Sequence, residues 1–328
     1  MRTITYREAV REALIEEMNR DESVFLMGEE VAEYNGAYKI SEGMLDQFGP
    51  KRVIDTPISE NGFAGLGVGA AMAGLRPVVE FMTFSFSLVA FDQLVNNAPN
   101  MVTMSGGQFH IPMVFRGPNG PVHALGATHS HATENFYANV PGLKVCTPGT
   151  IRDAKGLLKT AIRDDNPVVV LESEKLYNSS GEIEDIETEL LIPLGHANVL
   201  REGSDCTLIT YAQTVPTVLA LAEKIKTELN VDCEVIDLRS IRPLDTDTIF
   251  QSIAKTNRAV IIEQNRPVCG IGAQITYEIQ HEIFDELDAP VARVAQIDIP
   301  MPYNESWEDH VFPNETRITD AIKEVCYL

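Results

Sequence analysis

The run Ile54-Asp55-Thr56-Pro57-Ile58-Ser59-Glu60-Asn61-Gly62-Phe63-Ala64-Gly65 carries the chain's first chemical candidate. Its pattern predicts a strand ending near Asp55, a proline-containing loop, and a Gly/Ala-rich helix beginning near Asn61. In a parallel α/β sheet, ligands bind beyond the carboxyl ends of the strands, and Glu60 falls at such an end. Gly62, Gly65, Gly67, Gly69 and Gly74 each cost a helix up to ~1 kcal/mol relative to alanine. Such glycines suit close approach by another backbone or by a flat ligand. A carboxylate in a first helical turn is also favoured by the helix dipole alone, so spacing leaves both readings of Glu60 open.

Three further patterns compete for attention. His129-Ser130-His131, with Glu134, has the residue types of a metal site. The same histidines suit a general acid, a positive hydrogen-bond donor with a pKa of ~6.5, or plain polar loop residues. In Phe81-Met82-Thr83-Phe84-Ser85-Phe86, alternation after a strand predicts Phe84 and Phe86 on one face. That face is either core or a surface for stacking a planar cofactor. Gly65-Leu66-Gly67-Val68-Gly69-Ala70, with Glu80 beyond it, satisfies the loose dinucleotide pattern. That pattern needs its first glycine in the turn directly after the strand, whereas these glycines fall inside the helix, so the stretch reads as a packing helix. A nucleophile elbow, a phosphate-binding Walker loop and paired cysteine ligands do not occur in the sequence.

The elements that must position these residues follow an α/β rhythm. Thr5 and Glu8 form a capping box ahead of Tyr6, Ala9, Val10, Ala13, Leu14 and Met18 at helical spacing. Apolar runs at 24–27, 52–55, 77–81, 112–115, 143–146 and 168–171 predict strands, with helices over 87–101 and 150–163. The runs are continuous rather than alternating, as in a parallel sheet covered on both faces. Residues 178–192 carry Ser179-Ser180-Gly181 and then Glu182, Glu184, Asp185, Glu187 and Glu189, which predicts a solvated linker. A second α/β unit follows, with strands at 207–210, 233–238, 259–263 and 291–297 and helices at 216–229, 246–254 and 272–287. The expected domains are therefore 1–178, an acidic linker 179–196, and a smaller domain 197–328.

Composition narrows the function. A chain of 328 residues with 44% hydrophobic residues is globular. Its net charge of −22 repels phosphate backbones and anionic lipid, arguing against nucleic-acid or membrane partners. Five cysteines at scattered positions read as buried thiols in a reducing compartment. The apolar stretch 64–75 is too short to span a bilayer, and Met1-Arg2 leads into an amphipathic helix rather than a signal peptide. A soluble protein of the bacterial cytoplasm is expected, although a processed mitochondrial or plastid protein reads identically.

Taken in order, the motifs resemble a known family. Gly28-Glu29-Glu30-Val31, Gly36-Ala37-Tyr38-Lys39, Asp55-Thr56-Pro57-Ile58-Ser59-Glu60, Asp92-Gln93, Arg116-Gly117-Pro118-Asn119-Gly120 and His129-Ser130 are similar to the beta subunits of thiamine-diphosphate-dependent 2-oxo acid dehydrogenases. Asp153-Ala154-Lys155-Gly156, Asn166-Pro167-Val168, Asp237-Leu238-Arg239-Ser240-Ile241-Arg242-Pro243 and Pro300-Met301-Pro302-Tyr303 extend the likeness over nearly the whole chain. Glu80-Phe81-Met82-Thr83-Phe84 and Pro300-Met301-Pro302-Tyr303 fit pyruvate-specific members better than branched-chain ones, and a branched-chain or acetoin-specific member is the alternative. A non-catalytic docking subunit is the alternative of another class.

The resemblance implies a pyrimidine-binding parallel-sheet domain followed by a transketolase C-terminal-like α/β domain. It implies thiamine diphosphate as cofactor, with Glu60 bonded to the aminopyrimidine ring and favouring its imino tautomer. Phe86 and Ile58 would contact the cofactor, and His129 would assist acyl transfer to a lipoyl group. Potassium held by Met113, Ala161, Ile162, Asp164 and Asn166 would brace the sheet near the cofactor. Thiamine enzymes hold magnesium and diphosphate through a Gly-Asp-Gly motif, which this sequence does not contain. The implied partners are therefore an alpha subunit supplying Mg2+ and diphosphate in an α2β2 tetramer, pyruvate, and a dihydrolipoamide acetyltransferase component.

Overall fold

The computed structural model describes every residue except His123 and Ile186. The chain forms two compact units, one of Met1–Asn119 with Phe136–Leu194, the other of Gly120–Asn135 with Gly195–Leu328. In the first unit, strand β1 (Arg2–Thr5) enters helix α1 (Tyr6–Arg20) through the expected capping box. The Thr5 amide donates to the Glu8 carboxylate at 2.7 Å, and the Glu8 amide donates back to the Thr5 hydroxyl at 3.2 Å. Next come β2 (Val24–Gly28), α2 (Met44–Phe48), β3 (Val53–Asp55), α3 (Glu60–Met72), β4 (Arg76–Glu80), α4 (Ala98–Met104) and β5 (Val114–Pro118). The short helix α5 (Glu134–Ala138) spans the boundary between the units, and β6 (Lys144–Cys146), α6 (Ile151–Arg163), β7 (Val168–Glu172) and β8 (Ser180–Ile183) complete the first.

Within this unit six parallel strands lie in the order β6-β7-β5-β4-β2-β3. Apolar side chains cover both faces. On one, Leu14, Val24, Val78, Val114 and Val170 share a core with Leu157 and Leu158 of α6. On the other, Phe63, Phe81, Phe84 and Phe115 pack ring against ring at 5.3–6.1 Å. Gly67 sits where a Cβ would come within 2.6 Å of Val79, so this glycine of α3 is set by helix–sheet packing.

Two stretches differ from the sequence expectation. No single helix covers 87–101; a 3-10 turn (Phe84–Leu88) and a π turn (Gln93–Asn97) precede α4. Pro99 donates no N–H, so a regular ladder cannot run through it. Asp92 instead accepts side-chain bonds from Asn96 and Asn97 at 2.7 and 3.0 Å. In this turn Phe84 and Phe86 do not share a strand face: Phe84 is buried against Tyr137, while Phe86 is half-buried.

The acidic stretch also holds more structure than a solvated linker. Its β8 pairs antiparallel with β1, and Ile183, Leu190 and Ile192 enter the first unit's core. Gly156 of α6 admits Ile192, because a Cβ there would lie 2.6 Å from it. The acids point outward onto α6, where Glu184 meets Arg152 at 2.6 Å and Glu189 meets Arg163 at 2.7 Å.

The second unit contains β9 (Asn198–Arg201), β10 (Cys206–Thr210), α7 (Val215–Leu229), β11 (Cys233–Asp237), β12 (Ser240–Arg242), α8 (Thr246–Thr256) and β13 (Ala259–Ile262). It ends with α9 (Ile271–Glu282), β14 (Ala292–Val294), α10 (Glu305–Val311) and α11 (Glu315–Cys326). Five strands form the sheet β14-β13-β10-β11-β9, parallel except for β9. The expectation of five buried thiols is corrected here: Cys269 is exposed and Cys326 partly so.

Candidate active site

Glu60 is the first residue of α3, placed there by the loop that leaves β3 at the carboxyl edge of the sheet. The loop is pinned at its start, where the Thr56 amide donates to the Gly28 carbonyl at 2.9 Å. Asp55 accepts from the amides of Ala32 and Glu33 at 2.7 and 3.0 Å, fastening the end of β3 to the chain leaving β2. Gly28 is required at that crossing, because a Cβ would stand 2.5 Å from the Glu80 carbonyl oxygen.

The Glu60 side chain is 8% exposed, and its carboxylate has no hydrogen-bond partner among the described residues. With no partner inside the chain, this acceptor is open to a donor that comes to it. Ile58, two residues earlier, is 85% exposed, an apolar side chain held out on the same loop. Gln93 of the π turn donates to Asn61 at 3.0 Å and packs on Gly65, joining the segment that carries Phe86 to α3. π turns within helical segments often mark functional sites.

Sequence reading missed Glu29 as a site residue. It follows β2 directly, is 6% exposed, and its Oε1 is buried without a partner. Burial first, and the neighbouring Glu60 charge second, push its carboxyl up to about 7. The native chain therefore holds this proton more tightly than an unfolded one, whose glutamate titrates near ~4.3. The associated stability is fully present below that value and is lost as pH rises to about 7. Urea unfolding at about pH 5 and about pH 8 checks this. Wild type should lose more stability across the interval than Glu29→Gln, and equal losses would exclude a protonated Glu29.

Beneath the same edge lies a second group the sequence did not disclose. Arg116 on β5 is fully buried and binds Glu172 of β7 through Nε and Nη2, both at 2.5 Å. It also pairs with Glu80 of β4, and the Tyr177 hydroxyl donates to Glu172 at 2.9 Å. Glu80, the acid of the rejected dinucleotide pattern, is thus engaged by Arg116. Burial pushes the Glu80 carboxyl up, and Arg116 partly offsets that.

The five residues of the expected potassium site gather elsewhere in this unit. Met113 precedes β5, and Ala161, Ile162, Asp164 and Asn166 lie at the end of α6 and the approach to β7, at the amino edge of the sheet. Glu60 and Ile58, the residues expected to meet the cofactor, lie at the carboxyl edge, about 15 Å away across a five-residue strand. Arg76 already donates to the Ile162 and Asp164 carbonyls at 3.1 Å, and Lys144 meets the Asp164 carboxylate at 2.5 Å. These contacts leave carbonyl lone pairs free, but two cations already occupy the neighbourhood.

His129 belongs to the second unit. It closes a 3-10 turn (Ala127–His129), half-buried, with Nδ1 3.2 Å from the Thr128 hydroxyl. Ser130 donates to the Gly126 carbonyl at 2.8 Å, and Gly126 has φ +76° with the Tyr303 ring against it. Burial, aided by Arg266, lowers the pKa of His131. Among the described residues no cluster of histidine, cysteine and carboxylate side chains is arranged to hold a metal, which removes the His129–His131–Glu134 reading. Glu134 instead accepts from the buried Tyr211 hydroxyl at 2.9 Å.

Residues 2–180 match the family model "Transketolase, pyrimidine binding domain" and residues 195–318 match "Transketolase, C-terminal domain". The chain is 54% identical to the pyruvate dehydrogenase E1 component subunit beta of Rickettsia felis, over 99% of this chain and 98% of that one. The chain belongs to this family of E1 beta subunits. It is also 50% identical to the mitochondrial E1 beta subunit of Saccharomyces cerevisiae, over 99% of this chain and 89% of the relative. Among solved structures, a split-gene transketolase described as an inactive beta4 tetramer superposes with TM-score 0.79 at 19% identity, covering 99% of both chains. That likeness speaks for the transketolase-like fold. The family is one of thiamine-diphosphate enzymes, and its relatives occur both in bacteria and in mitochondria. Among the described residues no helix is long and apolar enough to cross a membrane.

Proposed function

We propose that this chain is the pyrimidine-binding half of a pyruvate-oxidising E1 enzyme, completed by an alpha subunit in an α2β2 tetramer. The observation that carries the reading is Glu60, a nearly buried carboxylate without a partner at the carboxyl edge of a parallel sheet. Its fit to an aminopyrimidine is chemical: an acceptor on α3 with no partner among the described residues, near the exposed apolar side chain of Ile58. Thiamine diphosphate, when bound, supplies an electron sink for the carbanion left by loss of carbon dioxide. Glu60 would accept a hydrogen bond from the ring and favour its imino form, an interaction strengthened by exclusion of water. Glu29, protonated up to about pH 7, adds no second negative charge there. Phe86 and Ile58 offer apolar contact to the ring.

His129, on its fastened turn, would hold or deliver a proton during acyl transfer to a lipoyl group of the acetyltransferase component. Magnesium and diphosphate would be bound by the alpha subunit, in keeping with the missing Gly-Asp-Gly motif. Substrate choice is tested by assaying the reconstituted pair on pyruvate and on branched-chain 2-oxo acids. A higher kcat/KM for pyruvate is expected, and a preference for branched substrates would overturn the assignment.

The carbonyl oxygens near Met113, Ala161 and Ile162 suit a hard monovalent cation in type. Potassium there would have to share the site with Arg76 and Lys144. A higher thermal midpoint in potassium chloride than in equimolar sodium chloride is expected; identical midpoints would remove the site.

A further inference from the structure

The turn that carries His129 is held in a backbone shape that its own residues do not favour. Ala124 stands at φ +51°, in the left-handed region that a residue with a Cβ rarely occupies. Gly126 has φ +76° and ψ −170°, a region open in practice to glycine alone. Such conformations persist where the surrounding structure over-determines them. Within the turn, the Ser130 hydroxyl and the His129 amide donate to the Gly126 carbonyl at 2.8 and 3.4 Å. These two bonds close the turn, but neither reaches Ala124.

A further constraint comes from 184 residues along the chain. Glu308 of α10 is 1% exposed, and its carboxylate accepts from the Ala124 amide at 2.9 Å. The Tyr303 ring covers Gly126 so closely that a Cβ there would stand 2.6 Å from it. Both residues rise from a fixed base, because Met301 and Val311 are buried and the Ile297 amide donates to the Val311 carbonyl at 2.8 Å. All of these residues belong to the second unit.

We propose that Glu308 and Tyr303 are positioning residues, a clasp that fixes the His129 turn for acyl transfer to the lipoyl group. The inference rests on the role given to His129 above. A group that moves a proton must lie within hydrogen-bond reach of its target, and a displacement of about 1 Å can cost about 10²-fold in rate. Glu308 gives the amide of Ala124 an acceptor, and Tyr303 fills the space over Gly126 that a side chain at that position would need. Each acts through the backbone of the turn, so its effect falls on the step that uses His129 and not on decarboxylation.

The test uses the assembled alpha–beta enzyme carrying Glu308→Ala or Tyr303→Ala. Each is assayed with a lipoyl domain and with an artificial electron acceptor, and hydrogen exchange is followed in the peptide covering residues 124–131. Faster exchange in that peptide is expected, with transfer to the lipoyl domain lower by about 10–10²-fold and turnover on the artificial acceptor retained. Glu308→Gln, which keeps an accepting oxygen, and Tyr303→Phe, which keeps the ring, should restore transfer. Wild-type exchange and transfer in both alanine variants would overturn the clasp. So would equal losses in the two assays, or conservative variants no better than alanine. His129→Ala separates this failure from that of the underlying reading. Normal transfer in His129→Ala removes the role of His129, and the clasp with it. Lost transfer there, beside normal transfer in the Glu308 and Tyr303 variants, removes the clasp alone.

Discussion

Replacing Glu60 with glutamine is expected to lower turnover of the assembled enzyme by about 10²–10⁴-fold, the usual contribution of a positioned acid–base group. Folding should be unaffected. The wild-type carboxylate bonds to no donor among the described residues, so the substitution orphans nothing. It also removes the charge that Glu29 faces. Glutamine keeps the shape and can still accept a bond, but carries no charge to stabilise a protonated ring nitrogen. The measurement is kcat with an artificial electron acceptor, alongside the mass of the assembly by light scattering. Unchanged turnover in an intact tetramer would remove Glu60 from the chemistry and leave the chain a docking subunit.

Arg116→Met is expected to have the largest effect on stability, a loss of about 3–5 kcal/mol. Arg116 is wholly enclosed, and its guanidinium satisfies carboxylates from two neighbouring strands. Removing it leaves Glu80 and Glu172 facing each other in a dry interior, where unpaired charge is strongly penalised. Adding Glu80→Gln to Arg116→Met should recover part of the loss, since the two sites share one network. Urea unfolding of the four chains in the cycle reads this directly. A loss below about 1 kcal/mol, typical of an exposed pair, would mean the cluster contributes little to holding the strand ends together.

Much of this architecture was written locally. The Thr5/Glu8 box starts α1 where expected, and unbroken apolar runs such as Val168-Val169-Val170-Leu171 became interior strands of a covered parallel sheet. Glu60 was legible because a strand, a proline loop and a helix start adjoin it in sequence. What stayed hidden depends on distant pairing. Glu29 matters because β2 lies beside β3, which brings it near Glu60. Arg116 finds its carboxylates 36 and 56 residues away. Cys206 and Cys233 sit side by side through strand register, which leaves no spacing signature. Residues 84–104 misled because helical periodicity was present while Pro99 and the side-chain bonds of Asp92 reshaped the backbone. The acidic stretch misled in the opposite way: its charges hid Ile183, Leu190 and Ile192, which alternate inward.

The central claim is that this chain supplies half of a thiamine-diphosphate site. It is tested most directly by measuring carbon dioxide release from pyruvate, with thiamine diphosphate and magnesium present. The beta chain alone, the alpha chain alone and the two together would be assayed. Turnover only in the mixture is the predicted result. Turnover by the beta chain alone would contradict it.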